Sequence, residues 1–444
     1  MVFKILQIAT FNILMIGTFY LAFKKAKKIY QNIKLGRESK SDDNTGERIK
    51  NMLLIAFGQQ KMFQNMIPAL LHLCLYIAFV ITQIELIEIF MDGAFGSHRI
   101  LYHTFHENSI FNFIYTTTIS FIEIGSVLAF IATIAFLSRR NLLKLPRFTK
   151  PEMIGWPTKD ANLILIFEIY LITCIFSMNI ADQAMYMNEN GHGYGFLVSG
   201  FLAPMFQNLP NTVLEIWKRL GWWGHIIGVF GFMIYLPHSK HLHILLAFPN
   251  TYLAKLTPKG QLSNLEAVTK EIKIMMNPDT AFAAPAEADV APVKFGAKDV
   301  FDLSQKSLLD AYTCTECGRC TSACPANQTG KKLSPRKIMM DTRDRLEEVG
   351  RNIDANAGKF VDDSRSLLDY ISVEELRACT TCNACVQECP VLINPLDIIM
   401  ELRRHLILEE SNSPDEWNGM FANIENNSAP WQFSQQDRLK WEEN

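Results

Sequence analysis

Five apolar runs, near residues 3–23, 66–91, 110–137, 161–186 and 222–248, constrain this chain more than any other feature. A hydrocarbon core about 30 Å thick needs roughly 20 helical residues. In lipid every backbone polar group must find its partner inside the segment, so each run predicts a spanning helix. Together they fill most of the amino-terminal half of a 444-residue chain. The mean hydropathy of +0.07 would pass for a soluble protein only because that half is averaged with a polar one. The net charge of −2 leaves no basic excess, so nucleic acid is not an expected partner.

The first run is followed by Lys24, Lys25, Lys27 and Lys28, with no small-residue cleavage site at Leu21-Ala22-Phe23, so an uncleaved anchor is expected. Residues 24–65 hold ten Lys and Arg and residues 138–160 hold six; residues 92–109 hold one and 187–221 hold two. Positive loops stay inside, which places the amino terminus outside and everything after the fifth run in the cytoplasm. Two further stretches read as lying on the membrane. Glu47–Asn65 carries an interfacial helix pattern, and Tyr194–Leu209, with Gly195, Gly200 and Pro204, reads as an outer cap.

The cysteines sit elsewhere. Cys314-Thr-Glu-Cys317-Gly-Arg-Cys320-Thr-Ser-Ala-Cys324-Pro325 returns as Cys379-Thr-Thr-Cys382-Asn-Ala-Cys385-Val-Gln-Glu-Cys389-Pro390, so eight of ten cysteines fall in two C-x2-C-x2-C-x3-C-P runs. This is the spacing of bacterial two-cluster ferredoxins, in which the fourth cysteine ligates the other cluster. On that rule Cys314, Cys317, Cys320 and Cys389 hold one [4Fe–4S] cluster, and Cys379, Cys382, Cys385 and Cys324 hold the second. Disulfides are disfavoured by a cytoplasmic setting, and structural zinc takes paired C-x2-C units instead of triplets ending in C-P. Cys74 and Cys174, alone in the second and fourth runs, read as packing residues. Between the motifs, Ser334-Pro335 opens a predicted helix that ends before Gly350, and a second is expected over Asp363–Leu376. Strand formers are scarce, so an α-helical cluster domain is expected.

Histidine in a spanning helix ligates, pairs or carries protons. His72 lies about two turns into the second helix. His225 and His243, 18 residues apart, share a face if the fifth helix is regular at about 3.6 residues per turn. His72 and His243 then stand at similar depth on facing helices, as bis-histidine ligation of a b-type haem requires. His225 is the candidate for a second, outer haem, although no mate is evident; Thr82 stands ten residues beyond His72. His238 and His241 read as interfacial, and His98, His103 and His106 as solvated. Glu85, Glu88, Glu123 and Glu168 fall within the runs, where carboxylates are functional candidates. Glu123, Glu85 and Glu88 are the candidates for proton exchange with a quinone.

The combination is recognisable. The histidine-bearing five-helix half resembles the cytochrome b subunits of respiratory nitrate reductase (gamma) and of heterodisulfide reductase. The segment Phe295-Gly-Ala-Lys, the run Leu309–Cys324 and Lys332-Leu-Ser-Pro look like the cluster region of heterodisulfide-reductase-type iron–sulfur proteins. So does the tail Glu425-Asn-Asn-Ser-Ala-Pro-Trp431 with Arg438 and Trp441. Nitrate-reductase gamma subunits carry two histidines on helix two where this chain offers His72 alone. The resemblance implies a mainly α protein: a five-helix transmembrane cytochrome b-like domain over 1–256, a linker over 257–300, a two-[4Fe–4S] ferredoxin-like domain over 301–410 and a tail over 411–444. It further implies an electron-transfer subunit of a quinone-linked oxidoreductase in the inner membrane. Substrate chemistry would lie on a cytoplasmic subunit with a cysteine-rich domain, because all eight clustered cysteines here are already used. A membrane-anchored polyferredoxin without haem, and a zinc-stabilised scaffold, are the alternatives. The absence of a Rossmann or P-loop glycine motif argues against direct nucleotide use.

Overall fold

The computed structural model describes residues 2–38, 44–105, 107–277 and 294–443. The protein is almost entirely helical, with no strands among the described residues. Five helices are long and apolar enough to cross a membrane: α1 (Val2–Ile33), α2 (Met66–Phe95), α3 (Ser109–Asn141), α4 (Trp156–Asn190) and α5 (Asn211–Tyr235). The first four runs lie wholly on α1 to α4, and each of these helices overshoots its apolar run at one or both ends, because polar residues at the boundary can continue a helix into water. Side chains such as Ile13, Phe113, Phe121 and Ile216 point outward, where lipid would cover them.

Small residues let these helices approach. A Cβ on Gly221 would lie 2.7 Å from the Met178 amide nitrogen, and one on Gly228 2.7 Å from Leu171 Cδ2, so α5 packs backbone-close against α4. Cys174 fills this seam: its sulfur would be 3.0 Å from a Cβ on Gly224. Phe11 of α1 occupies the space over Gly93 of α2, packed among Phe90, Trp222 and Phe230.

The fifth span differs from the expected 222–248. The helix stops at Tyr235, passes through two single 3₁₀ turns (Leu236–His238 and Lys240–Leu242), and resumes as α6 (His243–Tyr252). Pro237 supplies no amide hydrogen, and Ser239 is extended (φ −112°, ψ 154°), its hydroxyl accepting from the His241 amide. His243 therefore begins a new helix, and the shared-face relation with His225 is lost.

The interfacial stretch forms a helix over Thr45–Asn51, a π-turn over Met52–Phe57 and a 3₁₀ turn over Gln60–Gln64. The stretch read as a cap forms a short helix over Val198–Leu202 and a 3₁₀ turn over Ala203–Phe206. The Ala/Pro-rich part of the linker, up to Val293, lies outside the described residues, as does His106.

The cysteine-bearing half packs around one core. Val300, Leu303, Leu308, Ile338, Leu346, Leu376, Ile398 and Leu402 are buried in it together with Cys314, Cys324 and Cys389. Ile29 of α1 and Leu242 belong to the same core, so the two halves meet without a gap. Residues from Gly296 onward already pack here: the Ala297 amide donates to the Glu401 carbonyl at 2.9 Å. Ser334 caps α7 (Pro335–Ala355) by accepting from the Lys337 amide. The second expected helix is two separate elements, because Ser366 with Asp369 and Ser372 with Glu375 form successive capping boxes that each start a new turn.

α1 continues about three turns past its apolar run as a strut on this half. Lys25 pairs with Glu347 at 2.9 Å, Lys28 with Asp354 at 2.6 Å, and Asn32 donates to the Tyr312 hydroxyl at 2.9 Å. The loop between α3 and α4 clasps it from another side: Arg336, fully buried, pairs with Glu152 at 2.7 Å and donates to the Arg147 carbonyl at 2.7 Å.

Candidate metal centre

The two cysteine runs fold as copies of one loop. A helix ends at the first cysteine of each: Gln305–Thr313 before Cys314, and Val373–Ala378 before Cys379. The residues flanking the second cysteine are left-handed in both, Glu316 (φ 55°) and Gly318 (φ 74°) in one, Thr381 (φ 56°) and Asn383 (φ 61°) in the other. Such turns fold three closely spaced thiols round one centre. Only Gly escapes the usual penalty and Asn tolerates it best, which accounts for Gly318 and Asn383. Each loop then opens a five-residue helix, Arg319–Ala323 or Ala384–Glu388, and these two helices pack together.

This packing crosses the sets. Cys314, Cys317 and Cys320 line one small cavity together with Cys389 and Cys385 of the second run. Burial pushes the Cys314 thiol up to about 12 and the Cys389 thiol up to about 11, and the neighbouring Cys317 adds to both shifts. Burial likewise pushes Cys385 up to about 12, with Cys379, Cys324 and Cys382 opposing its ionisation. The fourth cysteine of each run thus faces the first three of the other.

Backbone amides point at the sulfurs, Ile393 to Cys389 at 3.2 Å and Thr381 to Cys379 at 3.4 Å. These donors favour sulfur in its anionic form. Thiols gathered so closely, with Cys314, Cys324, Cys385 and Cys389 buried, are a donor set that needs a strong positive charge among them. The residues present therefore fit two [4Fe–4S] clusters. Among the described residues no three His, Cys, Asp or Glu side chains close on a single-ion site.

The membrane half reaches the first set directly. Lys61, buried, donates to the Cys389 carbonyl at 2.9 Å, and Arg319 donates to the Lys61 carbonyl at 3.3 Å. Glu316, between Cys314 and Cys317, pairs with Lys240 and with Arg343 at 2.9 Å. These cations hold its carboxyl below the usual carboxylate range against the opposing effect of burial.

His72, His241 and His243 form one group beside this set. The His241 and His243 rings lie 5.5 Å apart, and Arg319 and His243 are both within electrostatic range of His72. His243 Nδ1 lies 3.1 Å from the Lys240 carbonyl. A proton there leaves Nε2 with its lone pair, the form that ligates metal. His241 reads from the sequence as interfacial; the break at Pro237 turns it into the group, where burial, then His243 and His72, push its pKa down to about 3. His225 stands apart on α5 with Nδ1 buried and unpartnered. His98, expected in solvent, pairs with Asp182 at 2.8 Å.

Glu85, Glu88 and Glu123 lie toward the other end of the bundle, and Glu168 does not. Glu85 accepts from Asn179 at 3.1 Å; Glu88 accepts from the Leu101 amide at 3.0 Å and the Tyr115 hydroxyl at 2.7 Å. Both border a cavity of about 320 Å³ that also meets Asp92, Arg99 and Asp182. Glu123 does not border it. Its Oε2 accepts from the Val198 and Ser199 amides at the start of the cap helix, while Oε1 is buried without a partner. Glu168 accepts from Thr133 at 3.0 Å.

Sequence reasoning passed over Lys240, Glu316, Arg319 and Lys61. Two of these lie inside the first cysteine run, and a charged residue between metal-ligating cysteines was the available signal; for Lys61 and Lys240 only the fold supplies it.

Residues 313–393 match the family model of the 4Fe-4S dicluster domain. Over 95% of its length the chain is 27% identical to the probable iron-sulfur-binding oxidoreductase FadF of Bacillus subtilis. Over 96% it is 25% identical to the EtfAB:quinone oxidoreductase of Syntrophomonas wolfei. It spans 59% and 58% of the length of these two relatives. Over 27% of its length it is 32% identical to one of the subunits of the ferredoxin/F(420)H(2)-dependent CoB-CoM heterodisulfide reductase of Methanosarcina acetivorans, of which it covers 60%. No solved structure gives a significant match. With five apolar helices and a 4Fe-4S dicluster domain over residues 313–393, the chain is similar over nearly its whole length to iron–sulfur oxidoreductases.

Proposed function

We propose that this chain is the electron-transfer component of a membrane quinone-linked oxidoreductase. It relays electrons between quinone, a b-type haem held by His72 and His243, two [4Fe–4S] clusters and a cytoplasmic catalytic subunit. The observation that carries the reading is that His72 lies within electrostatic range both of His243 and of Arg319, inside the loop of Cys314, Cys317 and Cys320. A haem so held supplies one-electron redox chemistry next to the first cluster. The protein's part is to fix the order and environment of the centres.

The name of the Syntrophomonas relative supports quinone as the membrane-side reactant, and subunit names among the relatives support a multisubunit complex. The cysteine-rich domain of the partner follows from the family resemblance. Sixteen basic residues in two loops against three in the others support a cytoplasmic cluster domain and an outer amino terminus. Glu85 and Glu88, at the outer cavity, are the residues best set to exchange protons with quinone.

A dithionite-reduced spectrum of the purified protein tests this. The wild type is expected to show b-type haem bands, lost in His72→Ala and in His243→Ala and kept in His225→Ala. A wild type with iron and sulfide but no haem bands would instead establish a membrane-anchored polyferredoxin.

A further inference from the structure

The first cysteine set is wrapped in positive charge that carboxylates answer only in part, Glu152 at Arg336 and, within electrostatic range of Lys61, Glu388. Four cations lie round it: Lys61, Arg147, Arg319 and Arg336. Lys61 points at the Cys389 and Val386 carbonyls, Arg319 at the Lys61 carbonyl, and Arg147 lies within electrostatic range of Cys317. Arg336 is matched by Glu152, as Arg343 nearby is by Glu316. The other three have no ion-pair partner among the described residues. Lys61 and Arg319 are buried, and the Arg147 Nε is buried without a hydrogen-bond partner.

Burying a lone cation is costly unless an anion compensates it. Three in one place imply a buried anion there, and four thiolates round a cluster core provide it. The second set is built differently. Cys382 is exposed, and the cation facing this set is Arg403, whose guanidinium donates to the Cys379 carbonyl at 2.6 Å.

Reducing a [4Fe–4S] core by one electron adds one negative charge within the thiolate cage. Fixed cations at short range in a poorly solvated site favour the more negative form and raise the potential. Arg319 belongs to the cluster loop, but Lys61 stands just before α2 and Arg147 in the loop between α3 and α4. The membrane half thus contributes two of the three charges.

We propose that Lys61, Arg147 and Arg319 raise the reduction potential of the cluster at Cys314, Cys317, Cys320 and Cys389 selectively, so that docking of the two halves tunes the centre that faces His72. This rests on the assignment of those cysteines as cluster ligands.

The test is a mediated redox titration of the full-length protein in detergent, with the reduced clusters followed by electron paramagnetic resonance. Arg147→Gln and Lys61→Gln are each expected to shift one of the two midpoint potentials downward and leave the other in place. Arg147→Lys should restore the wild-type value, and Arg403→Gln should move the opposite midpoint alone. Unmoved potentials, or equal shifts of both clusters in Arg147→Gln and Lys61→Gln, would overturn the proposal. A wild type with only one cluster signal and half the expected iron would overturn the ligand assignment itself, and the two failures are told apart by the wild-type spectrum alone.

Discussion

The ammonium of Lys240 meets the carboxylate of Glu316, and through this pair the loop after α5 is tied to the first cysteine loop. Both groups are buried. Lys240 also donates to the Pro157 carbonyl at 2.7 Å, and its own carbonyl lies 3.1 Å from His243 Nδ1. One residue therefore touches the α4 entry, the cluster loop and the candidate haem ligand. Removing one partner of an isolated buried pair costs about 3–5 kcal/mol; here Arg343 stays on Glu316, so Lys240→Met is expected to lower stability by less than that, seen as an earlier thermal unfolding transition in tryptophan fluorescence. Lys240→Met/Glu316→Gln should cost less than the sum of the single changes; strict additivity would mean that the pair is not coupled.

Gly318 is the tightest point of the first loop. A Cβ there would sit 2.5 Å from Arg336 Nη1 on a backbone at φ 74°. The left-handed conformation alone costs a non-glycine residue roughly 1–2 kcal/mol, and Arg336 is held by Glu152 and cannot retreat freely. Gly318→Ala is expected to lose about half of the protein's iron and sulfide. Asn383→Gly, at the same place in the second loop, relaxes a strained residue and should retain both in full. Equal loss from the two variants would show that the loops do not bind separately.

Much of this arrangement is legible in the chain. The apolar runs give the five helices because lipid admits few other structures, and the repeated cysteine spacing folds as two copies of one loop. Ser334-Pro335 marks α7 through ordinary capping chemistry. Legibility fails where tertiary partners decide. Nothing local shows that Lys61 turns toward Cys389, or that Arg336 finds Glu152 184 residues away. Pro237 signals a break, but only the extended Ser239 beyond it makes His241 a neighbour of His243. Ser366 and Ser372 start two capped turns where helical periodicity suggested one element.

Contact between α1 and the cluster half should weaken in acid. Glu347 accepts from Tyr312 at 2.7 Å and from Lys25 at 2.9 Å, and these bonds hold its carboxyl below its ordinary value of 4.5 despite burial. A carboxylate with a depressed folded pKa stabilises the protein fully above its unfolded pKa, and that contribution is lost as pH falls through the folded value. The stability difference between wild type and Glu347→Gln should be constant above pH about 5 and shrink below 4.5. Its direct readout is protease cleavage between α1 and α2. A difference that grew on acidification would reverse the sign and refute the assignment.

The intramembrane carboxylates separate by what they already hold. Glu123 spends Oε2 on two amides of the cap helix and does not line the 320 Å³ cavity. Glu85 makes one bond, to Asn179, and opens on the 320 Å³ space it shares with Glu88 and Asp92. A positioned acid–base group is worth about 10²–10⁴ in rate. Glu85→Gln is therefore expected to lower quinol-dependent reduction of the clusters by about 10² or more while leaving their spectra unchanged. Glu123→Gln keeps a carbonyl oxygen for the cap amides, so turnover should stay within about twofold of wild type. Glu123→Ala should lower thermal stability by about 1–3 kcal/mol, the cost of leaving buried amides unpaired. The rate assay in membranes separates the two roles, and loss of turnover in Glu123→Gln with Glu85→Gln unaffected would exchange them.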